Sequence, residues 1–485
     1  MSSSTYELDT ELTSGRLGDL LDFIYKRWIL PNKRFFLDAK LTTIEDESAL
    51  IFTIIGPTHE WSINVEIIGR IPISVRMTPS EGVPSSYIER LKNDIMLNIQ
   101  MFEEGVRKTT LHFSWVEGEE VIPEKVETRQ RGAFNKLFFD SMLPFFIVFM
   151  LASIFVFYFF GAYAPLILVA IQFILVLFSP KIVGRMGEWQ ITESEPFVHL
   201  LKYELPLSEY KEFKKQFNRE KIVQLKNEVY KETIASKGEL DCATVQDVFS
   251  RYGLKCEPEN LSSKKINVYQ LVKKGAEVYD VKVPPIVISN TMVPNAAVTG
   301  PDPNYGTVLI TTGLLAQLEE DEIFSVLGHE FAHLKGRDPL ILFTLQISEY
   351  LFRVYFAFPF FYSLPISYYT LFTLFYYLYL PLALGLVYFI GKFFEARADL
   401  ESAIKIGQPK VLAEGLRKIG FRKLHYEERV PAYRVQSWFA WDPHPPIYYR
   451  IERLEKMETP VKVTNTFIQS VKDVIVGFFK ALGIG

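Results

Sequence analysis

The chain has 485 residues and a formal net charge of −4, enough length for two or three domains. So small an acidic excess excludes the charge signature of a nucleic-acid binder. The apolar share of 48% is ordinary, but residues 141–180 and 354–391 contain no charged side chain at all.

Residues 1–30 are polar and acidic, without the apolar core of a cleavable leader. Beyond them, 34–41, 49–55, 61–68 and 73–77 alternate or run β-branched, which predicts strands. Ile88, Leu91, Ile95, Met96 and Ile99 recur at helical spacing through 87–104, and 109–115 reads as a further strand. Residues 1–130 are therefore expected to form an N-terminal α+β cytoplasmic domain. Its histidines, His59 and His112, are expected to be ordinary strand or surface residues.

The first uncharged run divides at Gly161-Ala-Tyr-Ala-Pro165 into 143–160 and 166–178, a transmembrane hairpin within 140–180. The second, within 339–394, divides at 363–367. Four transmembrane helices in two hairpins follow. Arg129, Arg131, Lys136, Lys181 and Arg185 flank the first hairpin, and Lys335, Arg337, Lys392 and Arg397 the second. Both interhelical turns are uncharged. The positive-inside rule therefore places both termini and residues 181–338 in the cytoplasm of a multi-pass cell-membrane protein. Cys242 and Cys256 are then expected to remain reduced thiols.

Within 181–338, 210–237 reads as a long charged helix. Asp241 starts another helix and Gly253 ends it. Strands are expected at 285–289, 296–298 and 307–311, with a strong turn signal in Gly300-Pro-Asp-Pro-Asn-Tyr-Gly306. Glu320, Asp321 and Glu322 open the next helix, acidic where a helix N-terminus favours charge of that sign.

That helix carries His329-Glu330-Phe331-Ala332-His333. Two imidazoles one turn apart point to one side and can bind a divalent ion, and Glu330 beside them can take a proton from the attacking water. A catalytic zinc needs a third protein ligand. Directly after the last apolar run stands Phe394-Glu-Ala-Arg-Ala-Asp-Leu-Glu401. Glu395 and Asp399 share a helix face, so Glu395 can ligate zinc and Asp399 can accept the free N–H of a ligand histidine. The expected content is one Zn2+ per chain. Glu349 and Arg353, four apart inside an apolar segment, read as an intrahelical ion pair or the lining of a wet substrate path. Residues 464–485 form an amphipathic C-terminal helix, lying on the membrane or packed on the protein body.

His-Glu-x-x-His, an apolar hairpin and Glu-x-x-x-Asp resemble the membrane-bound gluzincin peptidases shared by HtpX heat-shock proteases and CAAX prenyl endopeptidases. Pro294-Asn-Ala-Ala-Val-Thr-Gly300, Val308-Leu-Ile-Thr-Thr-Gly-Leu-Leu315 and Asp442-Pro-His-Pro-Pro-Ile-Tyr-Tyr-Arg450 look like further segments of that superfamily. The resemblance covers about residues 135–455, five motifs in order. Four apolar helices match HtpX rather than the seven of the prenyl endopeptidases.

The resemblance implies His329, His333 and Glu395 as ligands and Glu330 as general base. It further implies that Asn295 holds the substrate backbone or the edge strand, His444 stabilises the oxyanion, and Arg450 anchors the site through acidic partners. The fold implied is a multi-pass α-helical membrane protein with a mostly α cytoplasmic gluzincin protease domain and a small edge β-sheet. That domain is split between 181–338 and 395–460. The activity implied is hydrolysis of peptide bonds by a zinc-activated water, for quality control of misfolded or damaged membrane proteins under stress. An extended substrate is expected to add a strand along Thr307, Leu309 and Thr311. Two departures stand out: Ala297 replaces the phenylalanine of the related segment, and residues 1–130 have no counterpart in the short HtpX pattern. Two other readings stay open: a processing protease for lipidated or C-terminally tagged peptides, and a non-catalytic membrane scaffold with structural zinc.

Overall fold

A computed structural model describes residues 3–56, 60–122, 143–185, 187–205, 217–363 and 369–484, with isolated positions at 210, 213 and 215. His59, Arg129, Arg131, Lys136 and most of the expected 363–367 turn lie outside the described residues. The chain divides into two compact units, 1–124 with 198–265, and 125–197 with 266–485. This differs from the expected division, which kept 181–338 together. The segment 198–265 belongs with the N-terminal residues because β6 (Thr110–Val116) pairs antiparallel with β8 (Phe197–Glu204), a partnership that strand patterns alone do not reveal.

In the first unit, β1 (Ser4–Leu8), β2 (Phe36–Ile44), β3 (Glu47–Ile55), β4 (Ser62–Ile68) and β5 (Ile73–Pro79) form a five-stranded sheet in the order β1-β5-β4-β3-β2. Helices α1 (Leu17–Ile24) and α2 (Ser85–Arg107) supply Leu20, Leu21, Ile24, Ile95 and Ile99 to its core, where they meet Leu50, Phe52, Val65 and Val75. β1 and α1 fall in the stretch the sequence marked only as polar. A second sheet, β6-β8-β9 with β9 (Leu261–Asn267), packs on α5 (Arg219–Glu232) and α6 (Cys242–Arg251). Asn218 caps α5 on Lys221 N at 2.9 Å and Asp241 caps α6 on Thr244 N at 2.9 Å, each satisfying an amide that the helix leaves unpaired. The described part of the expected 210–237 helix is thus shorter. His112 lies on β6, where burial lowers its imidazole to about 3. Cys242 and Cys256 are joined by a disulfide, their Cα atoms 5.6 Å apart, which corrects the expectation of free thiols.

In the second unit, β7 (Trp189–Ile191), β10 (Ile286–Ser289), β11 (Ala296–Asp302) and β12 (Tyr305–Thr311) form a sheet ordered β11-β12-β10-β7. β10 and β12 run parallel, and the other pairs are antiparallel. Around it lie α7 (Val268–Tyr279), α8 (Thr312–Gln317) and α9 (Glu320–Gly336). The helical part continues with α12 (Tyr369–Lys405), α13 (Pro409–Arg429), α14 (Pro431–Phe439), α15 (Ile447–Glu455) and α16 (Thr466–Ala481). Gly328 lets α9 approach α12 closely, since a Cβ there would lie 2.7 Å from Ile406 and 2.8 Å from Ser402.

Among the described residues, three helical runs are long and apolar enough to cross a membrane: Leu151–Gly184, Asp338–Phe360 and Tyr377–Lys405. The first contains the end of α3 (Leu143–Phe160) and α4 (Ala164–Gly184), separated at Gly161, where φ is +51°. The second contains α10 (Asp338–Phe352), a π-helical turn at Arg353–Ala357 and the start of α11 (Phe358–Tyr362). Their apolar side chains are bare, with Tyr158 84% and Leu382 70% exposed, as suits a lipid surround rather than water. Arg353 clasps Glu349 through two hydrogen bonds of 2.9 and 3.2 Å, so the pair does meet within one helix.

Candidate metal centre

Helix α9 starts on a capping box, in which Glu319 accepts from the third residue of the helix and Glu322 accepts from Glu319 N at 2.8 Å. From that fixed start, His329 and His333 fall on one face, their rings 4.7 Å apart. The helix stops at Arg337, whose left-handed conformation (φ +55°) turns the chain directly into α10 at Asp338. Helix α12 runs unbroken from its apolar part through Glu395 and Asp399, so one rigid rod carries the second half of the site.

His329, His333 and Glu395 come together as a group that could hold a metal ion. The two Nε2 atoms are 3.1 Å apart, and Glu395 lies 3.5 Å from His329 Nε2 and 3.4 Å from His333 Nε2. Donors at 2.0–2.2 Å from a tetrahedral ion would sit about 3.3 Å from one another, so this spacing fits. Each histidine turns its other nitrogen to a carboxylate: His329 Nδ1 lies 2.9 Å from Asp399, and His333 Nδ1 lies 2.7 Å from Asp338. A ring proton on Nδ1, as the His333–Asp338 hydrogen bond favours, would leave the Nε2 lone pairs facing the same point. The buried Oε2 of Glu395 has no hydrogen-bond partner. Two imidazole nitrogens and a carboxylate thus converge on one point, where a positive charge, whether a proton or a metal ion, satisfies all three. Burial pushes the His329 imidazole down, yet the Asp399 and Glu395 carboxylates prevail and raise it to about 10.

Outer residues lock this geometry. Arg450 on α15 grips Asp399 with two hydrogen bonds of 2.8 and 2.7 Å and stands 3.9 Å from Glu395. Arg397 donates to Asp338 at 2.7 Å and to the Ala332 carbonyl at 3.2 Å, tying α12 to the end of α9. His444 reaches Glu395 at 3.5 Å through Nε2, while Asp442 accepts from its ring and its backbone at 2.7 and 2.9 Å. Partial desolvation opposes charge on the half-exposed His444, but Glu395 and Asp442 outweigh it and the group is raised. Lys392 donates to the carbonyls of Asp442 and His444, and Lys423 pairs with Asp442 at 2.8 Å. Asp338, Arg397, Asp442 and Lys392 were not singled out as site residues by sequence. Asp442 had a signal, since an aspartate two residues before a histidine can bond both its amide and its ring.

Glu330 stands beside the cage and accepts a hydrogen bond from Val298 N at 3.1 Å, so the second acidic group touches β11. The expectation for Thr307, Leu309 and Thr311 needs correction. β12 is hydrogen-bonded on one side to β11 and on the other to β10, and all three side chains are buried. No substrate strand can add there, and the sheet edge beyond β12 is β11. Asn295 closes that edge through its backbone, its carbonyl accepting from Thr311 N at 3.0 Å and its amide donating to Thr311 Oγ1 at 2.9 Å. Strand alternation then turns the backbone groups of Ala296 and Val298 away from β12.

Residues 262–458 match Peptidase family M48. The chain is 28% identical over 228 residues to "Protease HtpX homolog 2" of Methanosarcina acetivorans, covering 40% of this chain and 74% of that one. It is 36% identical over 94 residues to a "Protease HtpX homolog" of Thermodesulfovibrio yellowstonii, covering 19% of this chain and only 32% of that relative. A crystal structure of S. mikatae Ste24p is similar at 19% identity and a TM-score of 0.28, covering 38% of this chain and 49% of that one, too slight a likeness to bear on the fold.

Proposed function

We propose that the chain, whose residues 262–458 match Peptidase family M48, is a zinc-dependent membrane endopeptidase of the HtpX kind. The carrying observation is the cage of His329, His333 and Glu395 with Glu330 at its side. A zinc ion held by those three residues would supply a Lewis acid for the scissile carbonyl.

The chain's own residues account for the remaining chemistry. An extended substrate pairs with the outward backbone of Ala296 and Val298 on β11, in place of the Val298–Glu330 hydrogen bond. Glu330, once released, accepts a proton from the attacking water and delivers it to the leaving amine. His444 Nε2, aimed at the cage by Asp442, donates to the carbonyl oxygen as negative charge develops on it. Asp399 and Asp338 keep both histidines in the tautomer that leaves Nε2 free, and Arg450 and Arg397 hold those carboxylates in place.

The substrates we propose are misfolded or damaged membrane proteins, cleaved in segments near the bilayer. Four spans in two hairpins, with the catalytic side cytoplasmic, agree with Lys181 and Arg185 after α4 and Lys335 and Arg337 around the end of α9. Incubating the purified full chain with unfolded casein tests the activity. Cleavage should stop with a zinc chelator and return on adding zinc, and cleavage that persists under chelation overturns the reading.

A further inference from the structure

The C-terminal helix α16 has two apolar faces, and among the described residues only one is packed inside the protein. Ser470, Val474 and Phe478, at i, i+4 and i+8, turn inward. Phe478 lies 5.2 Å from Phe389 on α12 and 5.8 Å from Trp438 on α14, ring centre to ring centre. Polar ties fix the register: Thr466 donates to Glu401 at 2.9 Å and Arg453 to Asp473 at 2.9 Å. The helix is thus docked, not loose.

The opposite face remains apolar and bare. Ile468, Ile475, Val476 and Phe479 are 53%, 38%, 65% and 44% exposed, at i, i+7, i+8 and i+11. Phe439 on α14, 60% exposed and 5.4 Å from Phe478, is a further bare ring beside the docked face. The position of this patch along α12 identifies what covers it. Phe467 touches Phe394 and Phe478 touches Phe389, so α16 advances toward the apolar part of α12 as it proceeds to its C-terminus. Leu386 and Leu382, 60% and 70% exposed, follow within about 5 and 10 Å along α12 at 1.5 Å per residue. The outer face of α16 is therefore continuous with the apolar surface of a candidate membrane span.

We propose that α16 is an interfacial helix, docked on α12 by one face and seated in the headgroup–acyl boundary of the bilayer by the other. The proposal rests on the membrane-spanning reading of α12. Lys472, exposed amid the apolar face, reaches past it to the headgroups with its long stem. The face is a second membrane contact beside the spans, applied to the helix that also bonds the elements carrying Glu395 and Arg450.

The test labels single cysteines in the full chain carrying Cys242→Ser and Cys256→Ser, reconstituted in phosphatidylcholine–phosphatidylglycerol vesicles with doxyl-labelled lipid. Fluorophores at Val476→Cys and Phe479→Cys should be quenched severalfold more than one at Lys410→Cys, an exposed position on α13. A label at Leu386→Cys reports the span itself. Quenching at 386 but none at 476 and 479 beyond the Lys410 level overturns the interfacial helix while sparing the span. Absence of quenching at 386 overturns the spanning reading and this proposal with it. Disulfide-linked dimers through 476 or 479 without lipid quenching would assign the face to a second copy instead.

Discussion

Asp338 Oδ2 lies 2.7 Å from His333 Nδ1 and 2.7 Å from Arg397 Nη2, so a single carboxylate oxygen joins a candidate ligand on α9 to the helix that brings Glu395. The contact exists because α9 ends in a left-handed residue at Arg337. That break folds Asp338 back beside a histidine five positions earlier, where a continued helix would have carried it away. Asp338 is fully buried, so its charge is strongly felt.

Asp338→Asn keeps the shape and removes the charge. Replacing such an outer partner typically costs about 10–100-fold in metal affinity. Competition with a calibrated chelator should show zinc binding weakened by about that factor, with the secondary structure intact. Unchanged affinity would mean that His333 needs no orienting carboxylate.

Glu103 gives the first unit a pH-dependent stability. Its carboxylate accepts from Thr10 Oγ1 at 2.6 Å and Glu11 N at 3.2 Å, but burial, aided by the charge of Glu11, raises it from 4.5 to about 7. The folded state therefore holds a proton that the unfolded state has released between those values. The contribution of Glu103 to stability is greatest below about pH 4.5 and is lost as pH rises through 7, by an upper limit of about 3 kcal/mol for a shift of this size. Glu103→Gln should flatten that slope, read by hydrogen exchange of β1 and α2 between pH 5 and 8. A slope equal to that of the wild type would remove Glu103 as its source.

The Cys242–Cys256 bridge closes a loop of sequence separation 14. A loop of that size contributes about 3 kcal/mol when closed. Replacing both cysteines by serine should lower the stability of the first unit by roughly that amount. Mass spectrometry of protein taken from its own membrane under thiol-blocking conditions bears on topology as well. A persistent bridge argues against the reducing cytoplasm in which we place these residues, whereas free thiols agree with it.

How much of this was legible in the sequence depends on distance along the chain. His329 with His333 and Glu395 with Asp399 are each four apart, so helical periodicity alone predicts their shared faces. That the two pairs meet follows from a hairpin. Asp338 escaped because its contact depends on one left-handed residue. The sheet edge was misplaced because strand order is not written in alternation. Yet Thr307-Val-Leu-Ile-Thr311 is an unbroken buried run, the pattern of a central strand bonded on both sides, and β12 is one. The disulfide and the β6–β8 pairing are long-range contacts with no local signature.

Glu330→Gln in the full chain, assayed together for zinc content and for cleavage of unfolded casein, tests the central claim most directly. One zinc per chain is expected in both proteins, with a loss of at least about 100-fold in cleavage by the variant, the scale of a removed general base. Cleavage at the wild-type rate by a zinc-loaded Glu330→Gln chain would contradict it.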